Sequence, residues 1–234
     1  MAKMVVRWLG HAFFQVTSAS GKVVVIDPWI EGNPSCPVSL QDFGRVDIVA
    51  ITHNHFDHVG QAAELIAKTG ATLVAMVETT EALKAAGVPA ERCLFGGIGM
   101  NIGGQVDLDG IRITMTQALH SSASGNPSGL VIELEDGATL YHAGDTGIFA
   151  DMGLIGELYP LDVALLPIGD VFTMGIKQAA KAVSLLQPKV VIPMHYASFP
   201  ILVADPAPFV AAVGRSRPQT RVVVLKPGEA FEIS

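Results

Sequence analysis

The sequence predicts one domain, spanning residues 1–234, in which β-sheets are covered on their outer faces by helices. Three observations favour this class. Short runs rich in valine and isoleucine recur along the chain, as is typical of strands. Segments with apolar residues at helical spacing interleave with these runs. No low-complexity tract, charge run or linker marks a boundary between domains.

The strand-like runs follow one another in meanders in some places and alternate with helices in others. Tight hairpin turns are predicted at Asp109-Gly110 and Asp136-Gly137, because Asp-Gly tolerates the positive φ angles that such turns need. The predicted strands are residues 4–9, 13–16, 23–26, 46–51, 72–76, 111–115, 130–134, 139–141, 163–166, 190–192 and 222–225.

Helices are predicted over residues 59–68, 80–86, 176–186 and 205–214. In the third of these, Thr173 is the expected N-cap and Gln187-Pro188 the expected stop. The fourth opens on Asp205-Pro206, a usual start for a helix.

Composition excludes several classes of protein. The chain has 234 residues, 15 Lys and Arg against 22 Asp and Glu, and a net charge of −7, so a nucleic-acid partner is not expected. Half of the residues are hydrophobic and 16% are charged, which is far from a disordered composition. No apolar run is long enough for a membrane span.

The N-terminal apolar stretch is interrupted by Arg7 and His11, which is not typical of a signal peptide. A cytoplasmic location is therefore expected. The two cysteines, Cys36 and Cys93, predict no disulfide framework, and each is expected to be an ordinary packing residue.

The strongest chemical signal is the segment from Thr52 to His58, directly after a predicted buried strand. It holds His53, His55, Asp57 and His58, and three of the seven histidines of the chain fall within six residues. If the strand continued through the segment, His53 and His55 would point to the same side. Imidazoles and carboxylates are the ligands that zinc, iron and manganese accept, so the segment predicts a metal site.

Three later strands each end near a polar side chain of the same kind. These side chains are His120, Asp145 and His195. Sheet proteins place their ligands at the carboxyl ends of strands, and the joint occurrence with the first segment strengthens the prediction of one site.

The whole pattern resembles the metallo-β-lactamase superfamily, whose mark is H-x-H-x-D-H followed by His, Asp and His at later strand ends. The resemblance runs from Trp8-Leu9-Gly10-His11 to Pro193-Met194-His195. It is strongest to compact members described as metal-dependent hydrolases, which share Gly-His-Ala, Ile-Asp-Pro-Trp and Phe-Thr-Met-Gly. It implies an α+β fold, a four-layer αββα sandwich with the site at one edge between two sheets.

The resemblance also implies two divalent metal ions, with zinc expected and manganese or iron compatible. His53, His55 and His120 would hold the first ion, Asp57, His58 and His195 the second, and Asp145 would bridge them. Two ions roughly 3.5–4 Å apart can hold a bridging hydroxide as nucleophile. Asp57 is the catalytic candidate, which would orient this hydroxide and carry its proton.

Four further residues have two interpretations each. His11 would line the site or hydrogen-bond substrate, or be a structural histidine. Asp27 would brace a ligand histidine through its ring N–H, or form a turn. His142 is expected to be structural, and Asp170 to be a loop or capping carboxylate rather than a pocket residue.

The expected function is hydrolysis of an ester-type bond, in a phosphoester, lactone, thioester or amide, of a small intracellular metabolite. The features typical of secreted lactamases, glyoxalase II-like thioesterases, RNA-processing relatives and flavodiiron reductases are not found. Two alternatives stay open, an iron-dependent redox or oxygen-handling enzyme on the same ligands and a non-catalytic metabolite-binding protein. The loops 29–45 and 96–104 could shape a pocket or an oligomer contact, so a homo-oligomer is possible.

Overall fold

The computed structural model describes residues 3–233, and in these residues thirteen strands form two mixed β-sheets. The strands are β1 Met4–Trp8, β2 Phe14–Ser18, β3 Val23–Ile26, β4 Ile48–Ala50, β5 Thr72–Val74, β6 Gln105–Leu108, β7 Ile111–Gln117, β8 Ser128–Glu133, β9 Thr139–His142, β10 Val163–Pro167, β11 Val190–Met194, β12 Arg221–Val222 and β13 Ala230–Ile233. The α-helices are α1 Phe56–Val59, α2 Ala62–Thr69, α3 Val77–Ala85, α4 Met152–Leu158, α5 Ile176–Leu186 and α6 Ala207–Ser216.

Each sheet is antiparallel in one part and parallel in the other. The first sheet has the order β13-β1-β2-β3-β4-β5, in which β3, β4 and β5 are parallel. The second has the order β12-β11-β10-β9-β8-β7-β6, in which β9 to β12 are parallel. Parallel strands end at the same edge of a sheet, so the loops after them can meet.

Strand alternation separates the layers. Val24 and Ile26 of β3 point into the core between the two sheets. Val25, between them in sequence, points outward and joins the apolar cluster that contains Leu65 of α2. The apolar face of α5 packs on the second sheet, with Val183 fully buried. The arrangement is α+β with helices outside both sheets, as predicted.

Several predicted boundaries are wrong in informative ways. The strand predicted over 46–51 is only Ile48–Ala50. It therefore does not continue through the histidine-rich segment. The helix predicted over 59–68 is two helices, because the chain turns at Gly60. Gly175, not Thr173, is the N-cap of α5. The hairpin turn at Asp109-Gly110 is confirmed, with φ of 54° and 89°.

Strands β6 and β13 and helix α4 were not predicted. Among residues 3–233, none of the helices combines the length and the apolar character that crossing a membrane requires.

Candidate metal centre

The candidate site lies at one edge of the two sheets, where loops from both meet. Asp27 follows β3, the segment 52–58 follows β4, Asp145 follows β9 and His195 follows β11 directly. These residues are distant in sequence but are brought together because the parallel strands end at this edge.

All seven residues expected to bind metal come together here. The seven, with His11, form three groups whose donor atoms lie within 4.8 Å of one another. The groups are His53, His55 and His120; His11, Asp57, His58 and His195; and His53, His58 and Asp145.

The Asp145 carboxylate is buried at the centre of the cluster. Its Oδ2 lies 3.0 Å from His195 Nε2, 3.4 Å from His58 Nε2 and 3.6 Å from His120 Nε2. His120 belongs to the first group, while His58 and His195 belong to the second. Asp145 therefore contacts both groups, as a bridging ligand would.

Asp27 and Thr52 set the orientation of two histidines. Asp27 Oδ2 accepts hydrogen bonds from the Thr52 hydroxyl and from His58 Nδ1, both at 2.7 Å. The Thr52 hydroxyl also lies 3.1 Å from His53 Nδ1. With their Nδ1 atoms held in this way, His58 and His53 direct Nε2 toward the cluster. Of the two interpretations of Asp27, the one in which it braces a histidine fits the structure.

His11 is fully buried beside the second group. Its Nδ1 is 2.6 Å from Ser198 Oγ, and its Nε2 is 3.3 Å from Asp57 Oδ2 without the alignment of a hydrogen bond. The Ser198 hydroxyl can donate to Nδ1, and the ring proton is then on Nε2, on the side of the Asp57 carboxylate. Its φ of 55° is unusual for a side-chain-bearing residue.

Burial and the crowding of charges shift the pKa values of the cluster. Burial, with His195 adding to it, lowers the pKa of His11 to about 4. Burial lowers the pKa of His53 and of His120 as well. Burial alone would raise the pKa of Asp145, but His195 and His58 outweigh it and hold that pKa well below its usual range. Conversely, Asp145 and Asp27 outweigh burial and raise the pKa of His58.

The donor set fits a divalent cation. His58 Nε2 and Asp145 Oδ1 are buried and have no hydrogen-bond partner, although buried polar atoms are nearly always paired. Imidazole nitrogens and carboxylate oxygens are the ligands of zinc, iron and manganese. These residues could therefore hold metal, and the unpaired atoms are explained if they are ligands.

His195 links the cluster to a substrate-sized pocket. Gly169 lies just after β10 and directly against His195. A Cβ at this position would come within 3.0 Å of His195 Nδ1 and closer still to the His195 carbonyl oxygen, so only glycine fits there. The loop after His195 is closed by the hydrogen bond from Ala197 N to Val203 O, and Leu202 N bonds Phe199 O at its tip. This loop lines the pocket.

The pocket has a volume of about 670 Å³ and opens over the cluster. Sequence reasoning missed its apolar lining, because phenylalanine and isoleucine in loops give the same signal as core residues. It also missed Ser198, whose only signal was its place three residues after His195. The lining residues are His55, Phe56, Asp57, His120, Ser121, Asp145, Phe172, His195, Phe199, Pro200 and Ile201.

Two polar residues lie apart from the cluster. His142 is buried, with Nε2 donating to Ala12 O and Nδ1 accepting from Gly144 N, so it is structural as predicted. Asp170 is exposed, accepts from Val171 N and does not line the pocket.

A family model and related proteins match most of this chain. Residues 22–196 match the model of the Beta-lactamase superfamily domain. A UPF0173 metal-dependent hydrolase of Nitratidesulfovibrio vulgaris is 49% identical over 228 residues, covering 97% of this chain and 95% of the relative. Both matches include the histidine-rich segment.

Two solved structures have folds similar to that of this chain. Igni18, a metallo hydrolase from the archaeon Ignicoccus hospitalis, has a TM-score of 0.88 and 42% identity, with 99% of this chain and 98% of that chain covered. CmlA, a diiron β-hydroxylase from Streptomyces venezuelae, has a TM-score of 0.71 and 15% identity over 100% of this chain and 55% of its own. The second likeness shows a shared fold alone.

Proposed function

This chain belongs to the β-lactamase superfamily, among the UPF0173 metal-dependent hydrolases, and we propose that it hydrolyses an ester-type bond of a small metabolite at a two-metal centre. The phosphoester, lactone, thioester and amide are the bonds considered. Zinc is the proposed metal, with manganese or iron compatible with the same ligands.

The observation that carries the proposal is the position of Asp145. Its buried carboxylate touches histidines of two separate donor groups. A single metal needs only three or four ligands, whereas this cluster offers donors for two. We assign His53, His55 and His120 to one ion and Asp57, His58 and His195 to the other, with Asp145 shared.

The seven assigned residues would hold a pair of divalent ions, which would supply a water of lowered pKa and polarise the bond to be broken. The protein's own groups complete the chemistry. Asp57 faces the pocket, and its pKa is low because the neighbouring His11 and His58 outweigh the effect of burial. As a carboxylate it can orient the attacking water and accept its proton, then pass that proton to the leaving group.

The two alternatives differ from this proposal in what they predict for turnover. A redox enzyme on the same ligands would need iron and would consume oxygen, since zinc cannot change oxidation state. A binding protein would hold its ligand without turnover. The completeness of the donor set and the open pocket beside Asp57 support catalysis.

A metal analysis combined with a substrate panel tests the proposal. Protein purified without added metal is analysed for its metals, then loaded with zinc, manganese or iron. Each form is assayed on an aryl phosphodiester, a lactone, a thioester and a chromogenic lactam while oxygen is monitored. We expect about two ions per chain and oxygen-independent hydrolysis by the zinc form. Turnover only with iron and oxygen, or no metal uptake, would refute it.

We expect Asp27→Asn to weaken metal binding about 10- to 100-fold, because the carboxylate accepts from Thr52 N at Oδ1 and from the Thr52 hydroxyl and His58 Nδ1 at Oδ2, whereas an amide accepts at one atom only. Chelator competition measures the change. Asp47→Asn is the matched control, since Asp47 accepts from Val23 N at the opposite end of β3. Equal metal affinity of the two variants would contradict the bracing role.

A further inference from the structure

The pocket has two unlike walls. Metal-binding candidates, among them His55 and His120, form its inner wall. The outer wall, called here the apolar rim, consists of Phe56, Phe172, Phe199, Pro200 and Ile201. Its members are exposed to a degree unusual for such side chains, with Phe56 71%, Phe172 53% and Ile201 60% accessible. Large apolar residues clustered at a cavity mouth mark a binding surface.

Two members of the apolar rim, Phe56 and Phe199, are held in place by aromatic packing. Trp29 is nearly buried and stacks on Phe199, with ring centroids 5.5 Å apart. The rings of Phe56 and Trp29 meet edge to face, with their centroids 5.8 Å apart. His11 contacts both Trp29 and Phe199 edge-on. Side chains packed in this way hold their positions before substrate binds, so little conformational entropy is lost on binding.

No lysine or arginine lines the pocket in the part of the chain that the structure describes. The metal centre could pair with charge at the reacting group, but an anionic group elsewhere on the substrate would face the apolar rim, with the Ser121 hydroxyl as the one polar side-chain group of the lining outside the metal-binding candidates. Burying such a group without a partner is costly. The pocket therefore disfavours substrates with a remote phosphate or carboxylate.

We infer that the substrate is an uncharged carboxylic ester or lactone bearing an apolar chain or ring, which lies against the apolar rim. This inference rests on the proposed function. The apolar rim supports the uncharged chain or ring, and the carboxylic ester or lactone is the bond of that function to which the inference commits. In the reaction, the carbonyl carbon gains the oxygen of water, the acyl C–O bond breaks, and one proton passes to the leaving oxygen. The products are a carboxylic acid and an alcohol, which remain joined when the substrate is a lactone.

The first test compares substrates and products of different chain length and charge. Zinc-loaded protein is assayed on p-nitrophenyl butyrate, hexanoate and octanoate, and on the octanedioic half-ester, which carries a terminal carboxylate. We expect kcat/KM to rise roughly two- to fourfold per methylene and to fall at least about tenfold for the half-ester. In parallel, binding of octanoate and of suberate is followed by tryptophan fluorescence, to which Trp29, packed on the apolar rim, contributes together with Trp8.

A pair of lysine variants tests the apolar rim directly. Ile201→Lys places a cation on it, whereas Leu158→Lys places one at an exposed apolar position on α4. We expect Ile201→Lys to shift the octanoate-to-half-ester preference at least about tenfold toward the half-ester, and Leu158→Lys to leave it unchanged.

The outcomes separate the two proposals. Hydrolysis without chain-length preference, or with a preference for the half-ester, overturns the inference and leaves the hydrolase intact. Selective binding of octanoate over suberate without turnover of any of these esters supports the apolar ligand but overturns the assignment of a carboxylic ester or lactone as its reacting bond. If the protein shows neither selective binding nor turnover, both parts of the inference are overturned. The proposed function fails only if the phosphodiester, the thioester and the lactam of the substrate panel are not hydrolysed either.

Discussion

Replacing Asp145 with alanine is expected to lower kcat by about a thousandfold or more and to reduce the metal content from about two ions per chain to one or none. The reason is the central position of this carboxylate, whose Oδ2 is within 3.0–3.6 Å of three histidine nitrogens. Two divalent cations close together repel each other strongly, and a shared anion offsets that repulsion. Metal analysis and steady-state kinetics measure the two effects.

Two asparagine variants control for loss of folding and of charge. Asp145→Asn keeps the shape of the side chain, so it should fold like the parent protein and still lose most activity. Asp170→Asn removes a carboxylate from the exposed loop after β10, where it only accepts from Val171 N, and should keep metal and activity. Full activity and two ions in Asp145→Ala would refute the bridging assignment.

Strong local signals explain why most of the fold was predictable. Strand β3 was predicted at its observed bounds because Val23–Ile26 is a continuous β-branched run ended by Asp27-Pro28. The turn at Asp109-Gly110, which joins β6 to β7, was predicted from Asp-Gly alone, although β6 itself was not predicted. In both cases the information lies within a few neighbouring residues, so no distant contact was needed.

The missed elements depend on contacts with distant parts of the chain. Strand β13, with half-exposed alternate residues, is defined by pairing with β1, more than 220 residues away. Helix α4 contains Gly153 and Gly156, which normally weaken a helix. A Cβ on Gly156 would come within 2.5 Å of Leu186 O, so glycine is needed for the close packing of α4 on α5.

The candidate site was predicted in its residues but not in its local geometry. Strand alternation was the reason for placing His53 and His55 on one side, but the strand ends at Ala50 and His55 is the N-cap of α1. The two rings nevertheless meet, with His53 Nε2 2.9 Å from His55 Nδ1. Residue type predicted which side chains come together, while backbone conformation depended on packing that the sequence does not reveal.

The second large effect is expected for Asp57→Asn, which should lower kcat by about 10²- to 10⁴-fold. The Asp57 side chain is partly exposed to the pocket, and its carboxylate lies 3.3 Å from His11 Nε2. Burial would raise the pKa of Asp57, but His11 and His58 outweigh burial and lower it. The proton-accepting role therefore rests on the position of the carboxylate in the pocket. Asparagine keeps the shape and one ligand oxygen but cannot take up that proton.

Metal content and a neighbouring variant separate proton transfer from ligand loss. If Asp57 moves the proton, Asp57→Asn should keep most of its metal and its thermal stability while kcat falls and KM changes little. Asn54→Ala alters the same segment outside the donor groups, where Asn54 Nδ2 donates to Ser124 Oγ, and should change kcat less than about threefold. A kcat for Asp57→Asn within threefold of the parent value would remove Asp57 from the reaction, because metal and water alone would then account for the chemistry.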